Sequence, residues 1–95
     1  MAERRSENDG RLSARDLTRT AKETIQELTG HRAEAVSAFQ WDGDEWLVSV
    51  DVCELERIPN TTDVMATYVV QLDDNGGLLG YKRERRYPRG SGDEG

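Results

Sequence analysis

Cys53 and His31 are the only cysteine and the only histidine in this sequence of 95 residues. A cysteine nucleophile needs a nearby base or a lowered pKa, and a closed zinc site needs about four ligands. His31 follows Gly30 at the end of a helical pattern, where a histidine commonly just complements the helix dipole. Cys53 fits as a small strand residue. Glu54 and Glu56 resemble a catalytic carboxylate pair, but arginines placed beside them would keep both ionised, which favours a structural role. Gly76-Gly77 falls in a hairpin turn rather than in a phosphate loop ahead of a helix. These residues predict a protein that is not an enzyme and needs no cofactor or metal.

The remaining chemistry is cationic. Lys82, Arg83, Arg85, Arg86 and Arg89 cluster near the C-terminal end, with Tyr81 and Tyr87 interleaved. Arginine binds phosphate and aromatic rings stack on bases, so a nucleic-acid-binding regulator is the alternative function. Strand alternation sends these side chains to both faces, and a formal net charge of -6 repels polyanions overall.

One helix and four strands must position these groups. Ser13 is an N-cap with Asp16 three residues on, and Leu12 and Leu17 have the spacing of a hydrophobic staple. Leu17, Ala21, Ile25 and Leu28 form an apolar stripe at helical spacing, and Gly30 stops the helix. Strand-like segments follow near 33–41, 45–57, 64–73 and 78–87. The second is clearest: Trp46, Val48, Val50 and Val52 alternate with Leu47, Ser49, Asp51 and Cys53. Asp42-Gly43-Asp44 and Asn75-Gly76 mark turns, and Pro59, without an amide hydrogen, ends the second ladder. The expected fold is α+β, with the N-terminal helix packed on a four-stranded antiparallel meander.

The turns suggest a register. Trp41 faces Trp46, Phe39 faces Val48, Leu72 faces Leu79 and Val70 faces Tyr81, all on the helix-covered face with Val50, Val52 and Tyr68. At one end of that face, Glu54 and Glu56 would meet Arg83 and Arg85 across the small residues Val64 and Ala66. Two readings stay open: a surface ion-pair cluster worth about 0–1 kcal/mol per pair, or a geometrically specific docking site. The opposite face would carry Val36, Ala38, Leu47, Leu55, Met65 and Val69. An apolar patch on an open sheet face marks an interface, although scattered exposed apolar residues are also ordinary.

Residues 1–11 and 88–95 are rich in Gly, Ser, Asn and charge, and both read as mobile tails around a single domain over 12–87. No run approaches the ~20 apolar residues of a membrane span, and residues 1–10 lack the apolar core of a secretory signal. With one cysteine, no internal disulfide can form, and the expected location is the cytoplasm. An exposed strand edge would allow two copies to pair as a homo-dimer.

Certain residues in this order resemble a known family. The run from Trp46 to Pro59 reads W-L-V-S-V-D-V-C-E-L-E-R-I-P. It continues through Asp63, Val64, Met65, Ala66 and Tyr68 to Leu72, Asp73 and Gly76, and closes with Tyr81, Arg83, Arg86, Tyr87 and Arg89. The most specific pieces are Glu54, Arg57-Ile58-Pro59, Asp63 and Tyr68, followed by Arg86-Tyr87-x-Arg89. Over about residues 17–89 the chain resembles the gas vesicle protein O family. It departs from the family pattern at Val69, where an acidic residue commonly follows the tyrosine.

The resemblance implies an accessory protein in gas vesicle formation, distinct from the main shell protein. It would contact gas vesicle shell protein or other accessory proteins during assembly and stay with vesicles or their intermediates. On that reading an acidic partner could hold apolar shell subunits before polymerisation. The open face would meet apolar surface, and the region of Glu54, Arg57, Arg85 and Arg86 would set orientation by charge.

Overall fold

The computed structural model describes residues 13–91. Helix α1 (Ala14–Thr29) starts where the Ser13 hydroxyl accepts the amide of Asp16 at 3.1 Å. This satisfies one of the donors that a helix N-terminus leaves open. Leu12, the other half of the expected staple, lies outside the described residues, as does the expected tail over 1–11. Gly30 adopts φ 78° and returns its amide to the Gln26 carbonyl, a left-handed cap that suits glycine. The Gln26 side-chain oxygen accepts the Ala33 amide at 2.9 Å, fastening the helix end to the strand that follows.

Strands β1 (Arg32–Trp41), β2 (Trp46–Leu55), β3 (Val64–Leu72) and β4 (Leu78–Pro88) form one antiparallel sheet in that order. The architecture is thus the expected α+β meander. At the first hairpin Trp41 faces Trp46, and Phe39 faces Val48. Their rings stack edge-on at the end of the sheet, with centroids 5.2 Å apart for Trp41–Trp46 and 6.0 Å for Phe39–Trp46. At the last turn Gly76 takes φ 89°, and the Asp73 carboxylate accepts the amides of Asn75 and Gly77.

Leu17, Ala21 and Ile25 are fully buried against Val48, Val50, Val52, Ala66, Tyr68, Val70 and Leu72. The helical stripe is shorter than its spacing suggests, because Leu28 remains 44% exposed at the helix end. Among the described residues, no helix is long and apolar enough to cross a membrane.

Irregularities in the ladders reassign several side chains. A bulge sends the polypeptide ahead by one residue on one strand and so reverses the alternation beyond it. On β4, Leu72 faces Leu78 rather than Leu79, while Val70 still faces Tyr81. On β1, shifts between Ala33 and Ala35 and between Val36 and Ala38 bring Val36 opposite Val50. Val36 therefore packs on the helix-covered core and leaves the open face. On β2, a shift between Cys53 and Leu55 sets Leu55 opposite Val64, off the face that Met65 presents.

The folded region also continues past the expected boundary at 87. Strand β4 includes Pro88, and a 3-10 turn covers Arg89–Ser91. The Arg89 amide donates to the Asp63 carbonyl at 2.8 Å. Composition alone suggested a tail over 88–95, but Arg89 is held by Glu34 and Asp63 from distant parts of the chain, and residues 92–95 lie outside the described residues.

Candidate functional site

Among the described residues, the end of the sheet where β2 leaves and β3 returns gathers most of the ion pairs. Glu54 stands at the β2 bulge with its side chain only 6% exposed. Its carboxylate accepts the Tyr68 hydroxyl at 3.0 Å, Arg86 Nε at 2.8 Å and Arg83 Nη1 at 3.3 Å. Burial pushes its pKa up, but the Tyr68 hydroxyl and the two guanidiniums outweigh this and hold it below the usual carboxylate range. Burial, then the Glu54 carboxylate, raise the Tyr68 phenol. A carboxylate so enclosed is a fixed charge rather than a proton-transfer group.

Of the two arginines on Glu54, Arg83 is an expected one, and Arg86 stands where Arg85 was expected. Tyr68 faces Arg83 and Thr67 faces Arg85, so Glu84 bulges out and the alternation reverses. Arg86 thereby joins Arg83 on the helix-covered face, opposite Ala66. Arg85 turns to the other face and lies over the Tyr87 ring, 4.5 Å from its centroid, a cation–π contact. Glu56 does not reach β4 either; it pairs with Arg32 of β1 at 2.8 Å.

A second cluster has Arg89 at its centre. Its guanidinium binds Glu34 in bidentate fashion, at 2.9 and 2.8 Å, and its Nε donates to Asp63 at 3.0 Å. Glu34 also accepts from Arg32 at 2.7 Å. The hydrogen bonds from Arg89, then Arg32, hold Glu34 down to about 2. The Arg57 amide, at 2.7 Å, is the main cause of a lowered Asp63, acting against its burial. Two carboxylates in turn raise Arg89. Glu34 and Arg32 carried no signal in the sequence. Asp63 stood out only through the family resemblance, whereas Tyr68 was read as a residue of the helix-covered face and Arg89 as part of the basic cluster, neither with a carboxylate partner.

These pairings change the balance of the basic segment. Arg83, Arg86 and Arg89 are committed to carboxylates, leaving Lys82 and Arg85 without an ion pair among the described residues. Among the described residues, no group of three or more His, Cys, Asp or Glu side chains is arranged to hold a metal.

The sheet face turned away from α1 divides into two parts. Toward the ion-pair end, Cys53 and Met65 are buried, at 6% and 4% exposure. Arg85, Tyr87 and Arg89 border the same recess as Met65, and burial raises the Tyr87 phenol. Thr67 donates to Asp51 at 2.7 Å nearby. Toward the other end, Leu47 and Val69 are half-buried and share a recess of about 310 Å³ with Glu45, Gln71 and Lys82. Of the expected open-face residues, Leu47 and Val69 therefore form the accessible apolar floor, and Met65 lies beneath the β4 side chains.

The family model described as gas vesicle synthesis protein GvpO matches residues 1–93. Gas vesicle protein O of Streptomyces sp. strain CB03234 is 48% identical over 77 residues, covering 81% of this chain and 60% of that protein. Gas vesicle protein O1 of Halobacterium salinarum is 33% identical over 70 residues, 74% of this chain and 59% of its own length. Gas vesicle protein O of Haloferax mediterranei is 30% identical over 83 residues, 86% of this chain and 59% of its own length. The chain spans about three fifths of the length of these curated relatives. No solved structure matches it. With a family match from residue 1 to residue 93 and these relatives alongside, the chain belongs to the gas vesicle synthesis protein GvpO family.

Proposed function

We propose that this chain takes part in gas vesicle formation as an accessory protein. It acts by contacts with the shell protein or other accessory proteins in the cytoplasm, at vesicles or their assembly intermediates. Family membership supports the vesicle role. The observation that carries the mode of action is the Leu47–Val69 floor, half-buried on the sheet face that α1 leaves uncovered, with Lys82 at its rim. An apolar floor with a charged rim is the common anatomy of a protein–protein contact. Arg85 on the same face adds a cation held in place by Tyr87.

The test is affinity capture from vesicle-forming cells in the presence of nuclease. Recovery of gas vesicle shell or accessory proteins, weakened by Val69→Lys and by Arg85→Glu, is the expected result. If only nucleic acid is recovered, and is lost on nuclease treatment, the function lies with the basic strand instead.

A further inference from the structure

Ile58 is 99% exposed, whereas Leu79, the next most exposed large apolar side chain among the described residues, is 57% exposed. A lone exposed apolar residue is ordinary on a protein surface. Ile58 differs in the rigidity of its support. On one side, the Arg57 amide donates to Asp63 Oδ1 at 2.7 Å. On the other, the Pro59 carbonyl accepts both the amide and the hydroxyl of Thr62, at 3.0 and 2.8 Å. Asp63 closes the turn onto the Asn60 carbonyl and is itself gripped by the Arg89 amide and guanidinium. The following turn packs so closely that a Cβ on Gly90 would lie 3.0 Å from the Thr61 carbonyl oxygen.

This loop thus displays one apolar side chain without contacts of its own, at little further ordering cost on binding. Beside it, the Arg57 guanidinium has no carboxylate partner among the described residues. Arg57 borders a shallow groove of about 400 Å³ with Val64, Arg86, Tyr87 and Pro88. Arg86 is already shared with Glu54, so Arg57 is the cation left for a partner.

We propose that Ile58 is a preformed anchor that seats in an apolar pocket of a protein partner, with carboxylates on the pocket rim facing Arg57. This rests on the reading that the chain works through protein contacts, and it adds a second contact surface at the opposite end of the sheet from Leu47 and Val69. Arginine is enriched in binding hot spots, and an aliphatic side chain can anchor one when it fills a pocket and the surrounding contact excludes water. A nucleic acid would satisfy Arg57 through its phosphates, but a formal net charge of -6 opposes a polyanionic partner.

The test places a photoreactive aliphatic side chain at position 58 of the full chain in vesicle-forming cells, and in a parallel chain at position 69. The expected product from position 58 is a crosslink to a protein segment of apolar residues flanked by Asp or Glu, read by peptide mass spectrometry. With that partner identified, Ile58→Ser should leave the thermal midpoint unchanged and weaken retention of the partner about tenfold or more. Crosslinking from position 69 but none from 58 overturns the anchor and leaves the broader reading standing. Absence of protein crosslinks from both positions removes both. Crosslinks from 58 to nucleic acid, to a basic segment or to a second copy of this chain, or retention unaffected by Ile58→Ser, also overturn the anchor.

Discussion

Arg89 and Glu34 stand 55 residues apart in the chain and meet through two parallel hydrogen bonds, from Nη1 to Oε1 and from Nη2 to Oε2. The pair ties the end of the last strand to the start of the first, and Asp63 joins it from the loop between β2 and β3. Arg89→Lys keeps the charge but loses the planar fork that makes this geometry. The expected result is a lower thermal midpoint than wild type, with Arg89→Ala lower still. Equal midpoints for all three proteins would show that the clasp contributes nothing to folding.

The same cluster gives the chain an acid-sensitive stability. Glu34 is held at about 2 in the folded protein, by hydrogen bonds from Arg89 and then Arg32. A free glutamate titrates near ~4.3. A depressed folded-state pKa means the stabilisation is present above the unfolded value and is lost as pH falls through the folded one. Stability should therefore decline between about pH 4.5 and about pH 2. Asp63 and Glu54, both shifted downward, add in the same direction. Thermal midpoints measured along an acid series should fall less steeply for Glu34→Gln than for wild type. Parallel slopes would remove Glu34 as the source.

The bulge at Glu84 separates Arg85 from Arg86 in role. Arg86 reaches the nearly buried Glu54 at 2.8 Å, whereas Arg85 meets only the Tyr87 ring among the contacts described above. Arg86→Ala should cost on the order of 1 kcal/mol, since Arg83 remains on Glu54 and the arginine itself is exposed. Arg85→Ala should cost less. Chemical denaturation of the two variants ranks them, and the reverse order would place the bulge elsewhere.

Burial makes a parallel distinction along α1. Ile25 is fully buried and Leu28 is 44% exposed, although both continue one helical stripe. Ile25→Ala should destabilise by about 2–5 kcal/mol, the range for large-to-small changes in a packed core. Leu28→Ala should cost a fraction of that, by urea denaturation. Similar losses for the two would mean that the helix sits differently on the sheet.

Cys53 offers a check on the face away from the helix. It is a free cysteine with 6% exposure, opposite Met65. The folded protein should resist a thiol-alkylating reagent and become reactive in urea, with the rate following the unfolding transition. Prompt alkylation of the folded chain would show that the Met65 recess opens to solvent.

The helix, the four strands and their order were legible in the sequence because each rests on local chemistry. Ser13 and Gly30 mark the ends of α1, glycines mark the turns, and the alternation of Trp46, Val48, Val50 and Val52 selects the buried face. The first hairpin and the Val70–Tyr81 pair follow from turn position alone, for as long as the ladder stays regular. Tertiary structure decided what lies beyond each bulge. One extra residue near Glu34, Ser37, Glu54, Leu79 or Glu84 reverses the side chains that follow it up to the next bulge. Val36 thereby moved into the core, and Arg86 replaced Arg85 on Glu54. Tertiary structure also decided the clasp of Glu34, Asp63 and Arg89. No local pattern encodes a contact across 55 residues, because the pairing energy exists only once the sheet has brought both strand ends together.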